Sequence, residues 1–307
     1  MNKKILLLPV TMLLVGCSNA PYEHTLTIIS PTGAPSIAFY NYAQDANFET
    51  NTNAQIIAQM MARGQKDVVV LPTNAGVKTI NNPQATKYKI AATITFGNLF
   101  VASTGNDDNG VMDDGDYIIL FQQNNVPDLV FHSVYGTSVD SNVHYVDNAE
   151  YAKNCLISGK DETRHNEVVD YVLMAEPALS QVKAQYPNVG VYANLQVLYK
   201  TKYSTEIFQA SIFVKADADR SVVNSFLSSL EDDIEKGLEN PDLIKEGMSK
   251  ANDPQSKYGI APQGAANAAK NGNKFGLGFK RAKDNKQGID NFLSVFGIDA
   301  TTEENYF

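Results

Sequence analysis

The sequence predicts an α/β fold of two lobes, and three observations carry that reading. Short apolar runs alternate with amphipathic segments along most of the chain, the order expected of strands laid side by side under helices. The chain has 307 residues, long for one hydrophobic core and comfortable for two. A second series of strand-like and helix-like segments begins after an Asp-rich break. Composition agrees, because 43% hydrophobic and 19% charged residues describe a globular chain rather than a disordered one.

In the first series, residues 26–30 read as a strand running into Pro31-Thr32-Gly33-Ala34-Pro35-Ser36. A helix over 35–43 follows, with Pro35 suited to its first turn. Residues 55–61 place apolar side chains at 56, 57, 60 and 61, one helical face. Residues 67–71 form a nearly continuous apolar run, as in a buried parallel strand; Pro72-Thr73-Asn74 and a helix over 75–80 come next. Residues 89–103 alternate well enough for one long strand. The stretch 105–116 then holds five Asp, two Asn and three Gly. Its spacing misses the EF-hand pattern, and a solvated surface loop is the expectation.

The second series reads as a strand at 117–121, a helix at 127–134 and a strand at 143–146. Asp147-Asn148-Ala149-Glu150 resembles a capping box. A strand at 168–175 leads to Glu176-Pro177, with Pro177 at the first helical position, and 191–199 reads as a further strand. Residues 207–214 look like a strand returning to the first series. Residues 219–238 form a long amphipathic helix, apolar at 222, 223, 226, 227, 230, 234 and 238. Two shorter helices are expected near 241–251 and 285–296.

The amino-terminal residues address the compartment. Lys3 and Lys4 precede an apolar run over 5–16, too short to span a bilayer and suited to a signal segment. It ends Leu14-Val15-Gly16-Cys17-Ser18, small residues before a cysteine, as in the lipobox of bacterial lipoproteins. An ordinary secretory signal with a chance cysteine is the alternative. The expectation is a lipoprotein signal peptide at 1–16, a tether at 17–23, lipidation of Cys17, and a place on the extracytoplasmic face of the bacterial cell membrane. Two or more acyl chains are needed, since one binds only marginally. Cys155 then has no partner, which excludes a disulfide framework; it falls in a predicted helix and reads as a buried, inert thiol. With a net charge of −9 and no basic run, a nucleic-acid partner is excluded. The charge leaves the ligand undetermined, because net charge acts on solubility and steering.

Four features, in order, carry a family resemblance over about residues 25–240. They are Pro31-Thr32-Gly33-Ala34-Pro35 between a strand and a helix; Ala62-Arg63-Gly64-Gln65-Lys66-Asp67-Val68 with Pro72-Thr73-Asn74 behind its strand; a long strand ending Thr95-Phe96-Gly97-Asn98; and Asp170-Tyr171-Val172-Leu173-Met174-Ala175-Glu176-Pro177. With these the chain resembles the NitT/TauT branch of ABC-transporter solute-binding proteins, which includes sulfonate-binding and thiamine-precursor-binding (NMT1/THI5-like) members. It departs from them at Met112-Asp113-Asp114-Gly115-Asp116, where the family has Asp-Leu-Lys-Gly-Lys, and in having no tryptophan; both bear on the ligand class. The resemblance implies a two-lobe periplasmic-binding-protein-like fold (type 2), with lobe one at 24–102 and 208–307 and lobe two at 103–207. It implies an extracytoplasmic solute-binding subunit of an ABC importer, capturing a small polar or zwitterionic organic ligand, thiamine-precursor-like or sulfonate-like. Cleft closure would deliver that ligand to the permease and its ATPase. The expected protein is a membrane-anchored monomer without cofactor or metal.

The candidate ligand-binding residues follow from strand ends and from the resemblance. Thr32, Gly33 and Ser36 lie where backbone N–H groups meet a polar ligand atom, or are plain turn residues. Thr73 and Asn74 occupy the same place after the next strand, where they would otherwise cap a helix. Thr95, Gly97 and Asn98 end the long strand, and Tyr135 and Gly136 belong to the second series. Glu176 offers a fixed negative acceptor to a ligand amine, or satisfies the start of its own helix. An enzyme finds little support, since neither G-x-S-x-G nor H-E-x-x-H occurs. His24, His132, His144 and His165 show no paired spacing for zinc. An exported binding protein feeding a sensor stays open beside the importer subunit, and an enzyme on the same fold behind both.

Overall fold

The computed structural model describes residues 24–107, 109–121, 123–139, 142–146, 148–270 and 274–307. The predicted signal segment 1–16, the tether 17–23 and the lipidation site Cys17 lie outside these residues.

Strand β1 (Ile28–Pro31) runs into α1 (Ala34–Ile37). The helix predicted over 35–43 ends after this one turn, and a 3-10 turn at Tyr40–Tyr42 completes the passage. Phe39, Tyr40 and Tyr42 are all buried, which spreads the buried side chains wider than the single stripe of an amphipathic helix. Strand β2 (Phe48–Asn51), too polar to show as a strand in the sequence, pairs parallel with β1. Helix α2 (Ala54–Ala62) starts at Asn53, whose side chain accepts from two backbone N–H groups. Strand β3 (Val68–Pro72) leads into α3 (Thr73–Ile80). There Gly76 is required by packing, since a Cβ would stand 2.1 Å from the Phe213 ring.

The long strand predicted at 89–103 is two strands, β4 (Tyr88–Thr95) and β5 (Leu99–Ser103), in different sheets. Beyond them come β6 (Ile118–Phe121), α4 (Val126–Tyr135), β7 (Val143–Val146) and α5 (Ala149–Ser158). Asn148 caps α5 by accepting the Tyr151 N–H at 2.9 Å; the predicted cap, Asp147, lies outside the described residues. A small hairpin, β8 (Lys160–Asp161) with β9 (Glu167–Val168), precedes β10 (Tyr171–Ala175), α6 (Ala178–Gln185), β11 (Gly190–Asn194) and α7 (Leu195–Tyr203). The strand predicted at 191–199 therefore becomes a helix half-way, at Asn194, whose side chain accepts from the Gln196 and Val197 N–H groups. The chain closes with β12 (Ala210–Lys215), α8 (Arg220–Glu239), α9 (Pro241–Met248), α10 (Pro254–Tyr258), α11 (Pro262–Ala269), β13 (Leu277–Arg281) and α12 (Lys286–Ser294).

Among the described residues the strands form a six-stranded sheet, β13-β4-β12-β3-β1-β2, a five-stranded sheet, β11-β5-β10-β6-β7, and the small hairpin. In the first sheet β1 to β4 are parallel, while β12 and β13 oppose them. In the second, β6, β7, β10 and β11 are parallel and β5 opposes them. Both sheets are thus mixed rather than parallel throughout. The reason lies in the crossings. The chain leaves the first sheet at Thr95 and enters the second at Leu99; it returns between Tyr203 and Ala210. Each time it arrives at the edge where the parallel strands end, so the next strand can only run away from that edge, as β5 and β12 do. The boundary predicted between 102 and 103 falls inside β5, which belongs to the second sheet.

One buried cluster packs Phe39, Tyr40, Phe226, Leu230 and Ile234 under α8. Another runs from Ile57 of α2 and Val69 and Leu71 of the first sheet to Val101, Leu120 and Leu173 of the second. Phe292 of α12 joins the two halves of that cluster, with Tyr199 at 6.2 Å and Phe208 at 6.3 Å between ring centroids.

Candidate functional site at the two crossings

The carboxyl ends of the parallel strands of both sheets meet at the crossings, and backbone hydrogen bonds tie them together. The Gln209 N–H donates to the Thr95 carbonyl at 2.9 Å, and the Thr73 N–H donates to the Gln209 carbonyl at 3.0 Å. The Glu176 N–H donates to the Asn98 carbonyl at 2.8 Å. The Asn98 side-chain amide in turn donates to the Glu176 carbonyl at 2.8 Å. Thus β3, β4 and β10 all end at one place, together with both passages between sheets.

Gly97 makes the first crossing possible. Its φ of 54° is open chiefly to glycine, and a Cβ there would stand 2.5 Å from the Gln196 side chain. Gln196 holds the next strand in place: its Oε1 accepts the Leu99 N–H at 2.9 Å and its Nε2 donates to the Leu99 carbonyl at 3.0 Å.

The polar side chains at this edge fall into two sets. Thr73, Ser211 and Thr93 form a buried hydroxyl chain, with Oγ1–Oγ distances of 2.8 and 2.9 Å. By contrast Asn74 Oδ1, Thr95 Oγ1, Asn98 Oδ1 and Gln209 Oε1 are buried with no hydrogen-bond partner. Buried polar atoms are rarely left so, because each carries a desolvation cost of about 1–3 kcal/mol.

Among the predicted site residues, Thr73, Asn74, Thr95, Gly97, Asn98 and Glu176 come together here. Glu176 is buried, but both its carboxylate oxygens are engaged by Ser180, one accepting the backbone N–H at 3.0 Å and the other the hydroxyl at 2.8 Å. Its acceptor capacity is turned to the first turn of α6. The Glu176–Pro177 peptide is cis, and Pro177 is the residue before the helix rather than its first.

Thr32, Gly33 and Ser36 reach the same edge one strand further out, beyond β3. Three of their donors are engaged locally: the Thr32 N–H donates to Asn51 and the Ser36 N–H to Gly33, and the Ser36 hydroxyl also donates to Gly33 at 2.8 Å. Thr32 borders a shallow groove of about 510 Å³ with Thr50, Thr52, Ser256 and Lys257, on the β2 side of the sheet. Tyr135 and Gly136 are not brought to the crossings. Helix α4 begins after β6 at the site edge and carries these two residues to its far end, about 15 Å away for ten residues. There Tyr135 packs on Phe131 with ring centroids 5.0 Å apart, and Gly136 ends the helix with φ 76°.

Phe96, between the strand end and Gly97, is half-buried. It stands edge-on to Phe208 at 5.7 Å, under the ammonium of Lys280 at 5.2 Å, which pairs with Glu206. Sequence reasoning missed Gln196, Gln209 and Ser211. Asn194, a helix-capping residue type in the middle of an apparent strand, was the one available signal for α7.

Away from the crossings, Cys155 is buried in α5, and burial pushes its thiol up to about 12. In the Asp-rich loop, the hydrogen bond from the Tyr171 hydroxyl at 2.6 Å holds the Asp107 carboxyl below the usual carboxylate range. Asp113 and Asp116 accept backbone N–H groups of the same loop. Among the described residues no three His, Cys, Asp or Glu side chains stand together as a metal site requires, and no helix is long and apolar enough to cross a membrane.

No protein-family model and no curated protein matches this chain. Solved structures do. It is similar to an ABC transporter from Parabacteroides distasonis, with a TM-score of 0.69 and 16% identity over 88% of this chain and 91% of that one. It is similar to the ligand-binding component of an ABC-type import system from Staphylococcus aureus with zinc bound (TM-score 0.63, 10% identity, 91% and 94% covered). It is also similar to the periplasmic aliphatic sulphonate binding protein SsuA from Escherichia coli (TM-score 0.60, 8% identity, 91% of each covered). At these identities the likeness establishes the fold: a mixed α/β chain with two sheets in the periplasmic-binding-protein arrangement.

Proposed function

We propose that this chain is the extracytoplasmic solute-binding subunit of an ABC importer, held at the outer face of the cell membrane by acyl chains on Cys17. The observation that carries the reading is the meeting of both sheets' carboxyl edges at two short crossings lined with buried, partnerless polar atoms. Open α/β sheets take ligands at such edges. In this reading residues 24–98 and 208–307 form one lobe and 99–207 the other, and the crossings act as the hinge on which they close. The groups at the crossings are amides and hydroxyls, suited to holding a solute rather than to acid–base work. Glu176, the carboxylate beside them, is held by Ser180. The solute is a small polar organic molecule. The similar structures are named for transport or ligand binding, one of them for sulphonates, which supports capture for import over catalysis or sensing.

Native mass spectrometry of the full chain, purified without denaturation, tests the proposal. The expected result is a small-molecule adduct that disappears on unfolding. Small-angle scattering should then give a smaller radius of gyration for the loaded chain than for the stripped one. A chain that carries no adduct, and keeps its radius in the presence of host periplasmic extract, would count against solute capture. The anchor is tested separately by labelling cells with a fatty-acid analogue. Label should enter the wild type and be absent from Cys17→Ser; equal label in both would remove the anchor from the proposal.

A further inference from the structure

On the reading that the crossings form a solute site, we infer that the solute presents hydrogen-bond donors to them: a small amino- or amide-bearing molecule, neutral or cationic, rather than a bare oxyanion. Two independent sets of contacts lead there.

The first is what the edge has left over. Of the four partnerless atoms, Asn74 Oδ1, Asn98 Oδ1 and Gln209 Oε1 are amide oxygens, and Thr95 Oγ1 is a hydroxyl that serves either way. Asn74, Thr95 and Asn98 are at most 2% exposed. For Asn98 the sense of the amide is fixed, because its Nδ2 donates to the Glu176 carbonyl at 2.8 Å; the oxygen is the free end. Amide oxygens accept and do not donate, so only a donor satisfies them.

The second is the set of backbone donors that the two passages between the sheets have already engaged. An oxyanion is held at strand and helix ends by backbone N–H groups. Here those of Thr73, Gln209, Phe96 and Glu176 donate to Gln209, Thr95, Gly276 and Asn98, and that of Leu99 donates to the Gln196 side chain. Lys280, the cation over Phe96, is paired with Glu206. At Asn98, whose amide sense is fixed, a sulfonate, phosphate or nitrate would therefore meet an acceptor oxygen where it needs a donor. A planar amino-heterocycle, an amide or a small amine would meet its complement, with the Phe96 ring beside it.

Gln209→Glu separates the two polarities. It keeps an acceptor oxygen at Oε1, replaces the NH₂ group with a second acceptor oxygen and adds a negative charge. Cytosine, 4-aminopyrimidine and putrescine serve as donor probes, and ethanesulfonate, sulfate and acetate as anionic ones. Each is added to the full chain and its melting temperature is followed, with Asn74→Asp as a second variant should Gln209→Glu fold poorly. Any copurified solute is identified by tandem mass spectrometry. A rise in melting temperature with a donor probe but no anion, kept or enlarged in the carboxylate variant, supports the inference. So does a copurified solute bearing N–H groups. Thr95→Val should weaken such binding about tenfold. A rise with an anion that the carboxylate variant abolishes, or a copurified solute without N–H groups, overturns the inference and leaves solute capture standing. No rise with any probe and no copurified solute would remove the site itself.

Discussion

Two sets of polar side chains lie within a few residues of each other at the crossings, and they differ in one respect. Thr73, Ser211 and Thr93 satisfy one another in a closed hydroxyl chain. Asn74, Thr95, Asn98 and Gln209 have buried atoms that nothing satisfies. The first set has the character of structure: its polar groups offset their own burial. The second set weakens the folded chain by itself, and on the proposed function a solute accounts for its presence at the meeting of two sheets. Thr73 and Asn74 are adjacent in sequence and of similar polarity, so residue type and spacing could not have divided them; hydrogen-bond accounting does.

Gly97→Ala should break the comparison most severely, because it disturbs the crossing that both sets share. The positive φ and the approach to Gln196 together should destabilise the chain by about 2–4 kcal/mol in denaturant unfolding. Ser211→Ala removes the middle of the closed chain and should cost about 1–3 kcal/mol, with solute binding retained. Glu176→Gln keeps one acceptor for Ser180 and loses the charge, so a loss of about 1 kcal/mol is expected with little change in solute affinity; a tenfold weaker affinity would return Glu176 to the ligand. Thr95→Val removes an unsatisfied hydroxyl at nearly constant shape. Its stability should stay within about 0.5 kcal/mol of wild type or rise.

A pH titration sharpens the contrast between satisfied and unsatisfied groups elsewhere. Burial alone would raise the Asp128 carboxyl. The hydrogen bonds from His132, the Asn124 N–H and the Tyr145 hydroxyl hold it below the usual range instead. A carboxyl depressed in the folded chain contributes stability that is present above its unfolded pKa of about 3.9 and is lost as pH falls through the folded value. Asp128→Asn should therefore unfold less steeply than wild type below about pH 4, as followed by circular dichroism. An unchanged acid limb would mean that the Asp128 contacts do not persist in solution.

Much of this architecture is written in local pattern. The apolar run at 68–71, the amphipathic stripe of α8 and the Pro at the start of α4 are visible because burial and chain geometry act within a few residues. The breaks were harder. Residues 89–103 keep an alternating pattern through two strands because both β4 and β5 are buried in their own sheets; only Gly97 marks the change. Val191 to Tyr199 alternates through a strand and a helix, although Val197 is 58% exposed. Strand β2 carries one buried residue of four and no apolar signal. Of the candidate site, the positions at strand ends were legible because short apolar runs mark where the buried strands stop. Tyr135 and Gly136 lie away from the crossings, at the far end of α4, because a helix's direction relative to its sheet is not in the residues themselves. Gln196, Gln209 and Ser211 act through partners 97, 114 and 138 residues distant in the chain, beyond any local pattern.

Native mass spectrometry of wild type, Ser211→Ala and Thr95→Val, run in parallel with their unfolding curves, tests most directly whether the unsatisfied set is the solute site. Ser211→Ala should be less stable and still carry the solute adduct of the wild type. Thr95→Val should match or exceed wild-type stability and lose most of the adduct. An adduct retained in full by Thr95→Val, or lost from Ser211→Ala at unchanged stability, would contradict the assignment of the site.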